Sequence, residues 1–316
     1  MLDPFGRTIT YMRLSVTELC NLRCRYCMPE EGVCKKKHEE ILTEDEMITA
    51  VEIAAAHGVN KLRVTGGEPL IKPNLISIIR RAAGIEGIRE IGLTTNGTML
   101  ADTALSLRNA GVSRVNISLD TLDPEKYAAI TRRNQFTDVM NGIRAALDAG
   151  FRKIKINTVL IGGFNDDEIP ALANLTREYP LDIRFIELMP MSSIGNFSSG
   201  AFITNETVLD KLPELERVSD DGVAQVYHLP GALGCVGLIS PVSDLFCSRC
   251  NRIRLTADGK WMPCLHSKAE FPIKGLSREA MEEQYIQAIH AKPRMHGELS
   301  YDSRSGAARD MNQIGG

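Results

Sequence analysis

Six β-rich runs, separated for the most part by helix-forming sequence, limit this chain more than any other feature. They are YMRLSVT (11–17), KLRVT (61–65), IREIGLT (88–94), RVNISL (114–119), KIKINTVL (153–160) and DIRFIEL (182–188). Strands that alternate with helices form βαβ units, and such units build parallel sheets. The helix punctuation agrees. Thr43 with Glu46 predicts a capping box, opening a helix that runs to His57 and stops at Gly58. Pro73 starts another that ends near Gly84, and Gly111 and Gly150 close two more.

Six units suit an open doubly wound sheet or a partial barrel, and the unusual residues decide between them. The first strand leads to a cysteine loop and the second to TGGEP (65–69). The third runs into TTNG (94–97), the fourth into SLD (118–120) and the sixth into ELMP (187–190). Chemistry spread over many carboxyl strand ends belongs to a barrel, whereas an open sheet gathers it at one switch point. The expected fold is therefore α/β, an incomplete parallel (β/α)6 TIM-like barrel that is open on one side. After about residue 200 the pattern changes to turns, short strands and spaced cysteines (230–264), followed by helical SREAMEEQYIQAI (277–289). The expected division is a partial barrel over 1–220 and a smaller C-terminal region over 221–316 that covers the open side.

With 316 residues, 43% of them hydrophobic, the chain can bury one large domain or one and a half. A net charge of −3 excludes bulk attraction to nucleic acid or anionic lipid. No apolar run approaches membrane-spanning length, and MLDPFGRTIT lacks the apolar core of a signal peptide. A soluble cytoplasmic protein is expected.

Eight cysteines stand at 20, 24, 27, 34, 235, 247, 250 and 264. In a reducing compartment, clustered cysteines suggest metal binding or catalysis more than disulfides. The six histidines show no ligand spacing with one another, so the chemistry is thiolate chemistry, iron–sulfur or zinc. Cys20, Cys24 and Cys27 have the spacing C-x3-C-x2-C. Three thiolates from one loop can hold three corners of a four-iron cluster and leave the fourth iron free. The alternative is zinc completed by Cys34 or His38. Cys247, Cys250 and Cys264, spaced C-x2-C-x13-C, suit a second cluster or a zinc ribbon completed by Cys235 or His266.

Basic residues alternate on strands. Lys61 pairs with Arg63 in this way, Lys153 with Lys155, and Arg252 with Arg254; Arg13 and Arg184 stand on strands of their own. Residues two apart share a face. Cations facing a barrel interior are costly unless an anion meets them, so the pattern suits a chamber for a polyanion such as a nucleoside triphosphate. The alternative is that some face outward and are solvated. KKKH (35–38) reads as a solvated run, and the MNQIGG end, on composition alone, as a frayed terminus.

The cysteine loop after the first strand, with Tyr26 just before its last cysteine, and TGGEP after the second strand resemble the radical S-adenosylmethionine (SAM) enzymes. The resemblance implies a [4Fe-4S] cluster on Cys20, Cys24 and Cys27, with S-adenosyl-L-methionine on its open iron as the source of a 5′-deoxyadenosyl radical. It implies cofactor contacts from Tyr26, Gly67, Glu68 and Ser118, and from the backbone near Met189.

A narrower resemblance is carried by FCSRCNRIRLTADGKWMPCL (246–265), LRVTGGEPL (62–70), LTTNG (93–97), NISLD (116–120) and RFIELM (184–189). It points to the GTP 3′,8-cyclase family of molybdenum-cofactor synthesis. It implies a second [4Fe-4S] cluster on Cys247, Cys250 and Cys264, whose open iron binds guanine. It implies GTP contacts from Arg13, Lys61, Arg63, Thr94, Lys155, Arg184, Arg252, Ile253 and Arg254, and says nothing of Lys153. It assigns catalytic roles to Arg13, Arg252 and Arg254, and to a tail in which Gly315 and Gly316 enter the active site. The implied reaction moves a hydrogen from C3′ of GTP and joins C3′ to C8. The product, 3′,8-cyclo-7,8-dihydro-GTP, passes to a separate cyclic pyranopterin monophosphate synthase. An external electron donor (a reductase, flavodoxin or ferredoxin) is implied, and a homodimer is left open. The rivals are a radical enzyme with another substrate, such as a peptide, and a zinc-stabilised nucleotide-binding module.

Overall fold

The computed structural model describes residues 1–191, 197–300, 303, 305–307 and 309–315. The first two-thirds follow the predicted alternation: β1 (Tyr11–Ser15), α1 (Glu44–Ala56), β2 (Lys61–Thr65), α2 (Leu75–Ala83), β3 (Glu90–Thr95) and α3 (Leu100–Ala110). Then come β4 (Val112–Ser118), α4 (Pro124–Thr131), α5 (Phe136–Asp148), β5 (Lys153–Leu160), α6 (Ile169–Glu178) and β6 (Asp182–Glu187). At the start of α1 the Thr43 hydroxyl accepts from the Glu46 amide at 3.2 Å, and the Glu46 carboxylate accepts from the Thr43 amide at 2.7 Å. Gly111 closes α3 in the left-handed conformation. Helix α2 begins at Leu75, two residues after the expected Pro73, behind an Asn74 cap.

Beyond β6 lie α7 (Glu206–Lys211), β7 (Glu216–Asp221), β8 (Ala224–His228), β9 (Val236–Ile239), β10 (Arg252–Leu255), β11 (Lys260–Met262), β12 (Phe271–Pro272), α8 (Arg278–His290) and α9 (Met311–Ile314). The twelve strands among the described residues form one sheet, in the order β12-β11-β10-β1-β2-β3-β4-β5-β6-β9-β8-β7. The central run β1 to β6 is parallel and in sequence order, as barrel logic requires. Among the described residues, the C-terminal strands build no sheet of their own. Strand β10 adds parallel to β1 at one edge, and β9 adds parallel to β6 at the other. Both bare edges of the six-stranded run, each a row of unpaired backbone groups, thereby find partners.

The outer faces of the strands bury Met12, Leu14, Leu62, Val64, Ile91, Leu93, Ile154 and Ile183 against the helices in one continuous core. Trp261 of β11 is fully buried and meets Tyr285 of α8 edge-on at 5.1 Å, which ties the late elements to that core. Glu187, at the end of β6, is a second joint. Its buried carboxylate accepts from the amides of Asn205 at 3.2 Å, Val242 at 3.1 Å and Ser243 at 3.0 Å, and from the Ser243 hydroxyl. Among the described residues, no helix is long and apolar enough to cross a membrane.

Candidate active site

The first thiol loop leaves β1 and turns back on itself, with the amides of Cys27 and Met28 bonding to the Cys24 carbonyl at 2.9 and 3.2 Å. Cys20, Cys24 and Cys27 are all free thiols, partly covered. Burial pushes Cys20 up to about 11, helped by Glu68. Burial and the neighbouring Cys20 push Cys27 up to about 12. Cys24 is raised well above the ordinary range by burial and then by Cys27. Three shielded sulfurs that resist ionising together form a donor set in want of positive charge. Among the described residues, no group of three His, Cys, Asp or Glu side chains could hold a single metal ion. Three soft sulfur donors from one loop suit a cluster, which spreads its ligands over several metal atoms.

TGGEP holds this loop in place by backbone contact. The Gly67 amide donates to the Thr17 carbonyl at 2.7 Å and the Glu68 amide to the Leu19 carbonyl at 2.8 Å. A Cβ on Gly67 would lie 2.3 Å from the Leu19 carbonyl oxygen, so only glycine permits the approach. The buried Glu68 carboxylate accepts from the Leu70 amide at 2.9 Å, the Thr95 hydroxyl at 2.7 Å and the Asn96 amide at 2.6 Å. Burial still raises its pKa to about 7 against those bonds. Glu68 thus joins β2 to the TTNG turn, a role not expected of it. Tyr26 donates to Asp120 at 2.6 Å. Ser118 ends β4 beside Asn157 of β5.

Strand register assembles the cations. Arg254, Arg13 and Arg63 stand side by side on β10, β1 and β2, with Gly92 of β3 next in the row. Two residues earlier, Arg252, Tyr11 and Lys61 form a second row. Residues two apart share a face, so both rows look into the same cavity. That cavity holds about 270 Å³, and Thr94, Asn116, Lys155, Arg184 and Met189 also line it. Arg63 lies flat over Gly92, donating from Nε to the Tyr11 hydroxyl at 3.0 Å and from Nη1 to Asn116 Oδ1 at 3.0 Å. Arg252 sits 5.7 Å from the centre of the Tyr11 ring. Burial, and then Arg254, push Arg13 well down; burial, and then Arg252, lower Arg254 to about 10. Guanidinium groups packed this closely repel one another, which is the electrostatic signature of a site built for an anion.

Lys153 does not line this chamber and pairs with Asp182 at 2.9 Å. Ile253 faces the opposite side and is buried in the core, so its own side chain is kept from the cavity.

Cys247 and Cys250 flank a single helical turn, and Cys264 follows β11. They line a small cavity with His266 and His296 that shares Met189, Arg252 and Arg254 with the cationic chamber. His296 bonds to the Cys247 thiol and, against burial, holds its pKa down. Cys235 lies apart, its amide on Asp182, and Cys34 is exposed. The tail reaches the same chamber. The Gly315 carbonyl accepts from Arg254 Nη1 at 2.9 Å and Arg13 Nε at 3.3 Å. Gly316 lies outside the described residues.

Tyr11, Gly92, Asn116 and Asp221 were not singled out in the sequence. Tyr11 carried a usable signal, since it stands two residues before Arg13 on one strand.

A parallel sheet with a three-cysteine loop at the end of its first strand and a glycine turn at its second defines a radical SAM enzyme. Comparison with known proteins agrees: residues 14–176 match the Radical SAM superfamily and residues 181–298 match Molybdenum Cofactor Synthesis C. The chain is 46% identical to the GTP 3′,8-cyclase of Alkaliphilus metalliredigens and 47% identical to that of Moorella thermoacetica, with all of each chain covered. It belongs to the GTP 3′,8-cyclase family. The fold resembles SuiB of Streptococcus suis, with a TM-score of 0.64 at 13% identity over 86% of this chain and 64% of that one. It also resembles anSMEcpe, with a TM-score of 0.59 at 14% identity over 97% and 93%.

Proposed function

We propose that this chain is a radical SAM cyclase that converts GTP to (8S)-3′,8-cyclo-7,8-dihydroguanosine 5′-triphosphate, the first step of molybdenum cofactor biosynthesis. The observation that carries this reading is the double row of cations, which opens directly onto the second cysteine cavity. Family membership implies one [4Fe-4S] cluster and S-adenosyl-L-methionine. We assign Cys20, Cys24 and Cys27 to that cluster, and Cys247, Cys250 and Cys264 to a second one. Bound together, these groups supply one-electron chemistry and the radical that removes hydrogen from the ribose.

The chain's own residues do the rest. Arg63, Lys155 and Arg184 meet the triphosphate, the first two buried and the third largely covered, so the attraction is strong. Arg252 and Arg254 bridge the chamber to the second cysteine cavity, where the guanine would lie. Gly67 and Glu68 fix the loop at which the sulfonium cofactor binds, with Tyr26, Ser118 and Met189 around it. Arg13 and Arg254 hold Gly315 and so close the chamber from the tail side. A closed site keeps water and stray hydrogen donors from the ribose radical. Holding C3′ and C8 in place replaces a search with a near-attack arrangement.

On this reading residues 1–220 generate the radical and 221–316 carry the second centre. A reductase, flavodoxin or ferredoxin delivers electrons, and a cyclic pyranopterin monophosphate synthase receives the product in the cytoplasm. Replacing Cys247 by Ser should spare uncoupled cleavage of S-adenosylmethionine and abolish the cyclic product. Loss of both activities, with intact thermal unfolding, would contradict the division of labour.

A further inference from the structure

The β7–β8 hairpin turns at Asp221, Gly222 and Val223, and all three residues line the cationic chamber. Asp221 has a partly exposed side chain on the hairpin tip. Its Oδ2 nevertheless reaches two of the chamber's shielded cations, Lys155 Nζ at 2.5 Å and Arg184 Nη2 at 2.6 Å. Asp182, the acid next to them on the sheet, is committed to Lys153 at 2.9 Å and stands 3.9 Å from Lys155. The close anion at Lys155 and Arg184 therefore arrives from outside the parallel strands. One residue earlier, Asp220 holds Arg249 at 2.8 Å, latching the hairpin to the second cysteine turn. With the hairpin seated, the chamber's 270 Å³ falls below the roughly 300–1,000 Å³ usual for small-molecule sites.

We propose that Asp221 is a tethered anion occupying a phosphate subsite made by Lys155 and Arg184, and that it determines how far substrate phosphates count toward binding. The proposal rests on the reading of GTP as substrate. A single carboxylate oxygen between an ammonium and a guanidinium stands where a phosphate oxygen would stand. The two anions cannot share the place, because like charges at that separation repel strongly in a shielded site. A triphosphate displaces the carboxylate by offering several oxygens for one. A neutral nucleoside does not compete for that place, so Asp221 weakens only ligands that carry phosphate and tempers the chamber's preference for them. Departure of the hairpin also enlarges the chamber. The Asp220–Arg249 pair that must give way is exposed and weak.

The test uses the full-length enzyme, reconstituted without oxygen, with GTP and guanosine as the two probes. Dissociation constants are measured for wild type, Asp221→Asn and Asp221→Ala, and thermal unfolding establishes that the variants fold. Both variants should bind GTP about three- to tenfold more tightly, the range expected when a partly exposed tethered competitor is removed. Guanosine affinity should not change. In wild type, GTP should speed hydrogen exchange over residues 216–228 and guanosine should not. Weaker GTP binding in both variants would overturn the proposal and show Asp221 holding the substrate, for instance through a cation. Equal tightening for guanosine, or no change for either probe, would also overturn it. In those cases wild type still binds GTP, so the cyclase reading survives; a wild type that binds no GTP removes both.

Discussion

Arg254 donates from Nη1 to the carbonyl of Gly315 at 2.9 Å, across 61 positions of sequence. The same guanidinium lines the cationic chamber, so the end of the chain is part of its wall. Gly315 adopts φ +70°, and a Cβ there would lie 2.5 Å from the Thr65 side chain. Asn312 fastens the short preceding helix by donating to the Glu18 carbonyl at 3.0 Å.

Gly315→Ala should therefore lose cyclisation by at least about a hundredfold, the usual effect of displacing a closely fitted group by an ångström. Removing Gly315 and Gly316 together should do the same. Cleavage of S-adenosylmethionine without GTP should continue in both, measured as 5′-deoxyadenosine. Full turnover in either variant would refute a role for the tail.

Gly92 gives Arg63 its room. A Cβ at Gly92 would stand 2.5 Å from the Arg63 Cζ, in a guanidinium already held by Tyr11, Leu93 and Asn116. Gly92→Ala should raise KM for GTP by about tenfold, the loss of roughly one good charge-assisted contact. The rate of cofactor cleavage should stay near that of wild type. An unchanged KM would mean that Arg63 does not meet the substrate.

Tyr11 should titrate unusually early. Burial alone would push its phenol up, but the guanidinium groups of Arg63, Arg13 and Arg252 outweigh burial and bring it to about 7. A phenol whose folded-state pKa lies below its unfolded value near 10 adds stability that is complete above that value and is lost as pH falls through about 7. The stability gap between wild type and Tyr11→Phe should accordingly widen from pH 7 to pH 9. Ultraviolet difference titration of the two proteins without nucleotide should give a midpoint near 7. GTP should raise the midpoint by neutralising the arginines. A midpoint near 10 in the nucleotide-free protein would count against the chamber's charge.

Glu187→Gln tests the joint between β6 and the C-terminal elements. The carboxylate takes four hydrogen bonds from Asn205, Val242 and Ser243. An amide would turn donors toward donors, destabilising the protein by about 1–3 kcal/mol. Denaturant unfolding should read the loss. An unaltered midpoint would show that the site relaxes around the change.

The six central strands were legible because the βα alternation is local, and the observed bounds lie within two residues of the sequence-derived ones. The way the last third attaches was not. Nothing local in VGLI or RIRL says that one flanks β6 and the other β1, since edge pairing is decided by which backbone groups are left bare. The basic residues of the chamber followed from period-two spacing, whereas Asp221 reaches them from a hairpin at the rim. Glu68 illustrates the remaining gap. TGGEP marked a site, but that its carboxylate would bind Thr95 and Asn96 depends on β3 lying beside β2.

The most direct measurement supplies GTP deuterated at C3′, S-adenosylmethionine and a reductant to the oxygen-free enzyme. The cyclic product is an isomer of GTP, so the label, rather than the nucleotide's mass, reports the chemistry. Deuterium is expected in 5′-deoxyadenosine, together with a new nucleotide separable from GTP. Unlabelled deoxyadenosine, or deoxyadenosine with no new nucleotide, would contradict the cyclase reading.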